Sequence, residues 1–117
     1  MRRPEQQAHQ AVVQHPRQRG VPGLVFIHPA NGGWRRRVEG AIFQSLGVRR
    51  GASDLLLWHA GRSYALELKA AGGRVTDEQT IFLDDMDQAG AFTAVVEGLD
   101  AALHTLERWG LLRGAVA

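Results

Sequence analysis

Cysteine is absent from the sequence, which excludes a disulfide framework, cysteine-ligated zinc and thiol catalysis, and suits a reducing compartment. No apolar run approaches the roughly 20 residues needed to cross a bilayer. The basic residues near the N-terminus have no apolar segment of signal-peptide type behind them. The expectation is a cytoplasmic protein without a membrane partner. Also missing are a Gly-rich nucleotide cradle and a Ser-His-Asp set, and His9, His15, His59 and His104 have no zinc-ligand spacing. Lysine is nearly missing too: of the 14 basic residues, only Lys69 is not arginine.

What is present reads as one globular domain over residues 1–117. A chain of 117 residues is expected to bury roughly two thirds of its unfolded surface, and 44% hydrophobic with 22% charged residues is ordinary globular composition. The net charge of +2 conceals an imbalance: residues 1–50 carry nine arginines against Glu5 and Glu39, while residues 51–117 carry five basic against ten acidic groups. An arginine-rich half fits a polyanionic partner contacted through phosphates, and equally a solvated surface.

Along the chain the periodicity predicts α-β-α-β-β-α-β-α. Pro4 suits a first helical turn, Ala8, Ala11, Val12 and His15 follow at helical spacing, and Pro16 should end this helix. "LVFIHP" reads as a strand, with His28 a structural residue at its end. Trp34, Val38, Ala41 and Ile42 form the stripe of a second helix that ends near Gly47, with Arg35, Arg36 and Arg37 largely off it. Thr76 and Gln79 have capping-box spacing at the start of a third helix whose buried side is Ile81, Phe82 and Met86. "AFTAVVEG" is the last strand, and Leu99, Leu103, Leu106 and Trp109 belong to the last helix.

The stretch "DLLLWHAGRSYALELKA", from Asp54 to Ala70, has the pattern of a buried hairpin with charges at its open end. If Ala60-Gly61 is a two-residue turn, His59 faces Arg62 and Asp54 lies opposite Glu67. Leu55, Leu57, Tyr64, Leu66 and Leu68 then share the core face, while Asp54, Leu56, Trp58, Ser63, Ala65, Glu67 and Lys69 share the other. Like charges so opposed repel. Protonation of one carboxyl, the Lys69 ammonium or a bound divalent cation would each offset that repulsion, and carboxylate pairs are suitable hard ligands for Mg²⁺. A turn aspartate and a Glu-x-Lys on a solvated strand face fit the same three residues. The choice of lysine in a chain that otherwise uses arginine favours a site, because an ammonium is compact and, unlike a guanidinium, can give up its proton.

With Asp54 followed by Glu67-x-Lys69, the sequence resembles the PD-(D/E)xK, or restriction-endonuclease-like, nucleases, and within them the virus-type replication-repair nuclease (VRR-NUC) domains. Glu5 on a short helix, "HPANGG", "LGVRRGASDLLL", "LELKAAGGRVTDEQ" and "QAGAFTAVVEG" followed by a helix carry the resemblance in family order across nearly the whole chain. Ser53 departs from the proline usual before the aspartate. The resemblance implies an α/β fold with a restriction-endonuclease-like core, its mixed central β-sheet flanked by helices. It also implies a metal-dependent phosphodiesterase. In that role Asp54, Glu67 and the backbone carbonyl of Leu68 would bind Mg²⁺ or Mn²⁺, and Glu5 would hold a water of the ion. Lys69 would act on the attacking water and on developing charge, with Gln79 near the site. Glu5 also fits a helix-N-terminal acid, and Gln79 also fits a capping residue.

Asn31 is the candidate substrate contact in "PANGG", which also reads as a turn, and Arg35, Arg36, Arg37, Arg49 and Arg50 are the expected phosphate contacts. Small members of this family resemble junction resolvases, so the expected partners are branched DNA, such as four-way junctions, and a second copy of the chain. The expected setting is a bacterial or phage-infected cytoplasm. The alternatives are a flap or single-strand endonuclease, a catalytically silent DNA-binding module, and a structural module stabilised by metal.

Overall fold

The computed structural model describes residues 4–29 and 49–114, with the side chains of residues 4–6 outside the description. Helix α1 spans Pro4–Arg19, followed by strands β1 (Val25–Ile27), β2 (Leu55–His59) and β3 (Arg62–Lys69). Helix α2 (Asp77–Gln88), strand β4 (Phe92–Glu97) and helix α3 (Leu99–Arg108) complete the order. The second helix expected from sequence lies outside the described residues.

The sheet runs β1-β2-β3-β4, with the first two pairings antiparallel and the third parallel. It is therefore mixed, and α2 supplies the crossover that parallel β3 and β4 require. The hairpin closes as its sequence predicts, with His59 across from Arg62 and Leu55 across from Leu66. Ala60 and Gly61 both take positive φ, 52° and 79°, so the turn twists with the strands it joins, as a type I′ turn does. Leu55, Leu57, Tyr64, Leu66 and Leu68 are all buried and pack with Val12 of α1 and Ala102 and Leu106 of α3. The opposite face is not simply solvated: Ala65 is fully buried and Glu67 only 3% exposed.

Two helices depart from the pattern read in the sequence. Helix α1 runs past Pro16 to Arg19. A proline so near a helix end forfeits one backbone bond, and the final turn is secured from outside. Arg19 donates to Glu107 at 2.7 Å and to the carbonyls of Arg113 and Gly114 at 2.8 and 3.0 Å, while Arg113 N–H donates to the Arg19 carbonyl at 2.7 Å. In α2 the buried pair is Phe82 and Leu83, while Ile81 is 56% exposed. The inward stripe passes through Gln79, Phe82, Leu83 and Met86, a spacing of three, four and seven residues that leaves Ile81 to one side. Among the described residues, no helix is long and apolar enough to cross a membrane.

Candidate active site

The hairpin register determines where the charges meet. Leu55 pairs with Leu66, so Asp54, one residue before β2, stands across from Glu67. Its side chain continues the ladder beyond the strand: Asp54 Oδ2 accepts the Leu68 N–H at 2.7 Å. His28, just past β1, donates from Nδ1 to the Asp54 carbonyl at 2.6 Å. His9 of α1 brings Nδ1 to 3.8 Å from Asp54 Oδ1. Three elements thus converge on one aspartate.

Glu67 lies inside the sheet and receives a hydrogen bond from Gln79 Nε2 at 3.2 Å. The same glutamine completes the cap of α2. Its Oε1 accepts from Thr76 N–H at 2.8 Å and its own N–H donates to Thr76 Oγ1 at 3.1 Å. Gln79 is therefore a helix cap and a Glu67 partner at once, with one end of its amide used for each. Such a donor stabilises a buried carboxylate that would otherwise be costly to desolvate.

The loop leading to Asp54 is fastened to the same helix. Gly51 has φ of 77°, and a Cβ there would fall 2.5 Å from the Glu78 carbonyl group and 2.8 Å from Gln79 N. Arg49 forms an ion pair with Asp85, and its guanidinium lies 5.1 Å from the centre of the Phe82 ring. Ser53, at the position of the departure from the family pattern, is fully buried, and its hydroxyl has no hydrogen-bond partner among the described residues. The loop is thus held without the stiffness of proline.

Lys69 is directed toward the neighbouring strand. Its ammonium donates to Glu97 Oε2 at 3.0 Å and to the Gly73 carbonyl at 3.2 Å. The repulsion between Asp54 and Glu67 is thus met by a backbone N–H and a side-chain amide, while the lysine pairs with a third acid. Arg50 is exposed and forms no ion pair with a described residue. Glu5 lies in the first turn of α1, one turn before His9, with its side chain outside the description. Asn31, Arg35, Arg36 and Arg37 also lie outside the described residues.

His9, His28 and Glu97 had no part in the site read from sequence. The signal for Glu97 is the parallel register that pairs it with Lys69. For His28 it is the β1–β2 register, in which Ile27 faces Leu56. Among the described residues, no group of three or more His, Cys, Asp or Glu side chains could hold a metal ion. The donor set on view is the two carboxylates of Asp54 and Glu67, which suits Mg²⁺, an ion that takes one or two protein carboxylates and leaves its other positions to water and phosphate.

Comparison with known proteins bears on the family and the fold. No curated protein matches the chain. A solved structure described as a VRR_NUC domain protein superposes with a TM-score of 0.75 at 18% identity, covering 93% of this chain and 89% of the other. The family model for the VRR-NUC domain matches residues 3–100. With most of its length matched by that model, this chain belongs to the VRR-NUC family and is a nuclease domain of that kind.

Proposed function

We propose that the domain is a Mg²⁺- or Mn²⁺-dependent endonuclease that hydrolyses DNA phosphodiesters, selecting branched DNA such as four-way junctions. The observation that carries this reading is the opposed pair of Asp54 and Glu67, whose register faces two acids across one hairpin beside the single lysine.

Asp54, through Oδ1, and Glu67 would hold the cation together with the Leu68 carbonyl. Glu5 would hold a water of the same ion. A cation there supplies positive charge for a non-bridging phosphate oxygen and makes a nearby water a better nucleophile. The chain's own residues do the rest. His28 and the Leu68 N–H fix Asp54 in place, and Gln79 orients Glu67. Lys69 stabilises the charge that develops as water adds to phosphorus and one P–O bond breaks. The departing sugar oxygen takes up a proton, leaving one new phosphate end and one hydroxyl end. Arg50 steadies the flanking backbone, with Asn31, Arg35, Arg36 and Arg37 as further contacts.

Two copies related by a two-fold axis would match the symmetry of a four-way junction, and a dimeric mass in solution is expected. The setting is a bacterial or phage-infected cytoplasm.

Labelled four-way junction, 5′-flap and linear duplex DNA, incubated with Mg²⁺, Mn²⁺ or EDTA, test the reading. Nicking of the junction that requires metal and is lost in Lys69→Ala is expected. Preferential cutting of the flap would replace junction selectivity with flap selectivity. Binding without cleavage under every metal would leave a DNA-binding module.

A further inference from the structure

Lys69 and Glu97 are the last paired positions of the parallel β3–β4 ladder, and Glu67 and Val95 are the pair two residues earlier. Side chains alternate along a strand, so Glu67, Lys69, Val95 and Glu97 share one face. Of the acids on that face, Lys69 forms its ion pair with Glu97.

The lysine is held on every side that matters. Its carbonyl accepts the Gly98 N–H at 3.3 Å. Beyond it, the chain turns through Gly72, at φ of 75°, and the Gly73 N–H bonds the Ala70 carbonyl at 2.8 Å. That turn brings the Gly73 carbonyl back to the ammonium, where it and the Glu97 carboxylate are the two acceptors. A four-carbon side chain with free rotation about each bond is thereby given one position.

Stability does not account for this clamp. The two side chains are 30% and 50% exposed, and an ion pair so wetted contributes about 0.2–1 kcal/mol. Location is its distinguishing feature. Two residues along the same strand stands a buried carboxylate, with Asp54 opposite. An unclamped ammonium would be drawn to that pair and would neutralise the charge that attracts a divalent cation.

We infer that Glu97 is a positioning residue that keeps the Lys69 ammonium off the Asp54–Glu67 pair and so preserves the negative charge of that pair for a divalent cation. The inference rests on the reading of Asp54 and Glu67 as metal ligands. It makes Glu97 and Lys69 an antagonistic couple: the acid promotes metal binding only because the lysine is present.

Calorimetric titration of the whole chain with MnCl₂, on wild type and on Glu97→Gln, Lys69→Met and the double variant, tests this without any turnover. Glu97→Gln should weaken Mn²⁺ binding about fivefold or more while its melting temperature stays within about 3 °C of wild type. In the Lys69→Met background the same substitution should change Mn²⁺ affinity by less than about twofold, since the coupling is lost when one partner is gone. An equal loss in both backgrounds would overturn the inference, because Glu97 would then act on the cation directly. Unchanged Mn²⁺ affinity in Glu97→Gln would overturn it too while leaving the site intact. A wild type that binds no Mn²⁺ would overturn the metal reading of the site and this inference with it.

Discussion

Gly51 shows how much one hydrogen in place of a methyl group can decide. In the sequence it is one of several glycines ahead of an aspartate. In the fold it has a φ of 77° and lies directly against the backbone of Glu78 and Gln79. A side chain there incurs the left-handed penalty of about 1–2 kcal/mol and also drives the loop away from α2, the helix that supplies the Glu67 partner. Gly51→Ala should therefore lose on the order of 3 kcal/mol, read as a lower denaturant midpoint at unchanged slope. Gly61→Ala makes a useful contrast: it has a similar φ of 79° but no atom within 4 Å of its Cβ position, so only the backbone penalty applies. Equal losses at the two sites would mean that the contact with α2 is immaterial. The hairpin partners Asp54 and Glu67 were legible in the sequence because a two-residue turn fixes every pairing after it. The need for Gly51 was not, since it depends on where a helix begins that starts only at Asp77.

At the scale of elements, α2 connects the cap, the buried stripe and the site. Its start was legible, because Thr76 and Gln79 have the spacing of a capping box and both halves of the box are made. Its inward face was not. Ile81 has the hydrophobicity for burial, but Gln79 must reach Glu67, and that turns the stripe toward Leu83. Helix α1 departs from its sequence pattern for a related reason: its last turn is stabilised by Arg19 reaching Glu107 and the C-terminal segment, far beyond any local window. Gln79→Glu separates the two duties of its side chain. Glutamate at this position still accepts from the Thr76 N–H, so the cap survives. The donor to Glu67 is replaced by a like charge. A loss of about 1–3 kcal/mol in EDTA is expected, recovered at least in part when a divalent cation is added if, as proposed, Asp54 and Glu67 bind one, because the new carboxylate would then share its charge. Melting curves in EDTA and in Mg²⁺ measure both. Equal stability of variant and wild type in EDTA would mean that the cap alone accounts for Gln79.

Over the whole molecule, the charge imbalance becomes a question of which arginines remain available to DNA. Arg49 is engaged: it pairs with Asp85 and lies over Phe82, holding the Asp54 loop to α2. Arg50 and Arg74 are exposed and form no ion pairs with described residues. Arg50 immediately precedes the glycine that meets the first turn of α2, and Arg74 lies two residues before that helix's cap. Both therefore flank the end of α2 that carries Gln79 to Glu67. The later turns of α2, by contrast, carry the exposed acids Asp84 and Asp87, which repel a phosphate backbone. A duplex is therefore expected to lie by Arg50 and Arg74 rather than along that flank. Each phosphate contact releases about 0.9 counterions on B-form DNA, so Arg50→Ala and Arg74→Ala should each lower the slope of log affinity against log salt by about one, equally for every DNA sequence. Arg49→Ala should leave that slope unchanged and lower the melting temperature instead. Anisotropy of a labelled junction across a series of KCl concentrations separates the two kinds of arginine. A slope that falls in Arg49→Ala and holds in Arg50→Ala and Arg74→Ala would place the DNA on the opposite side of α2.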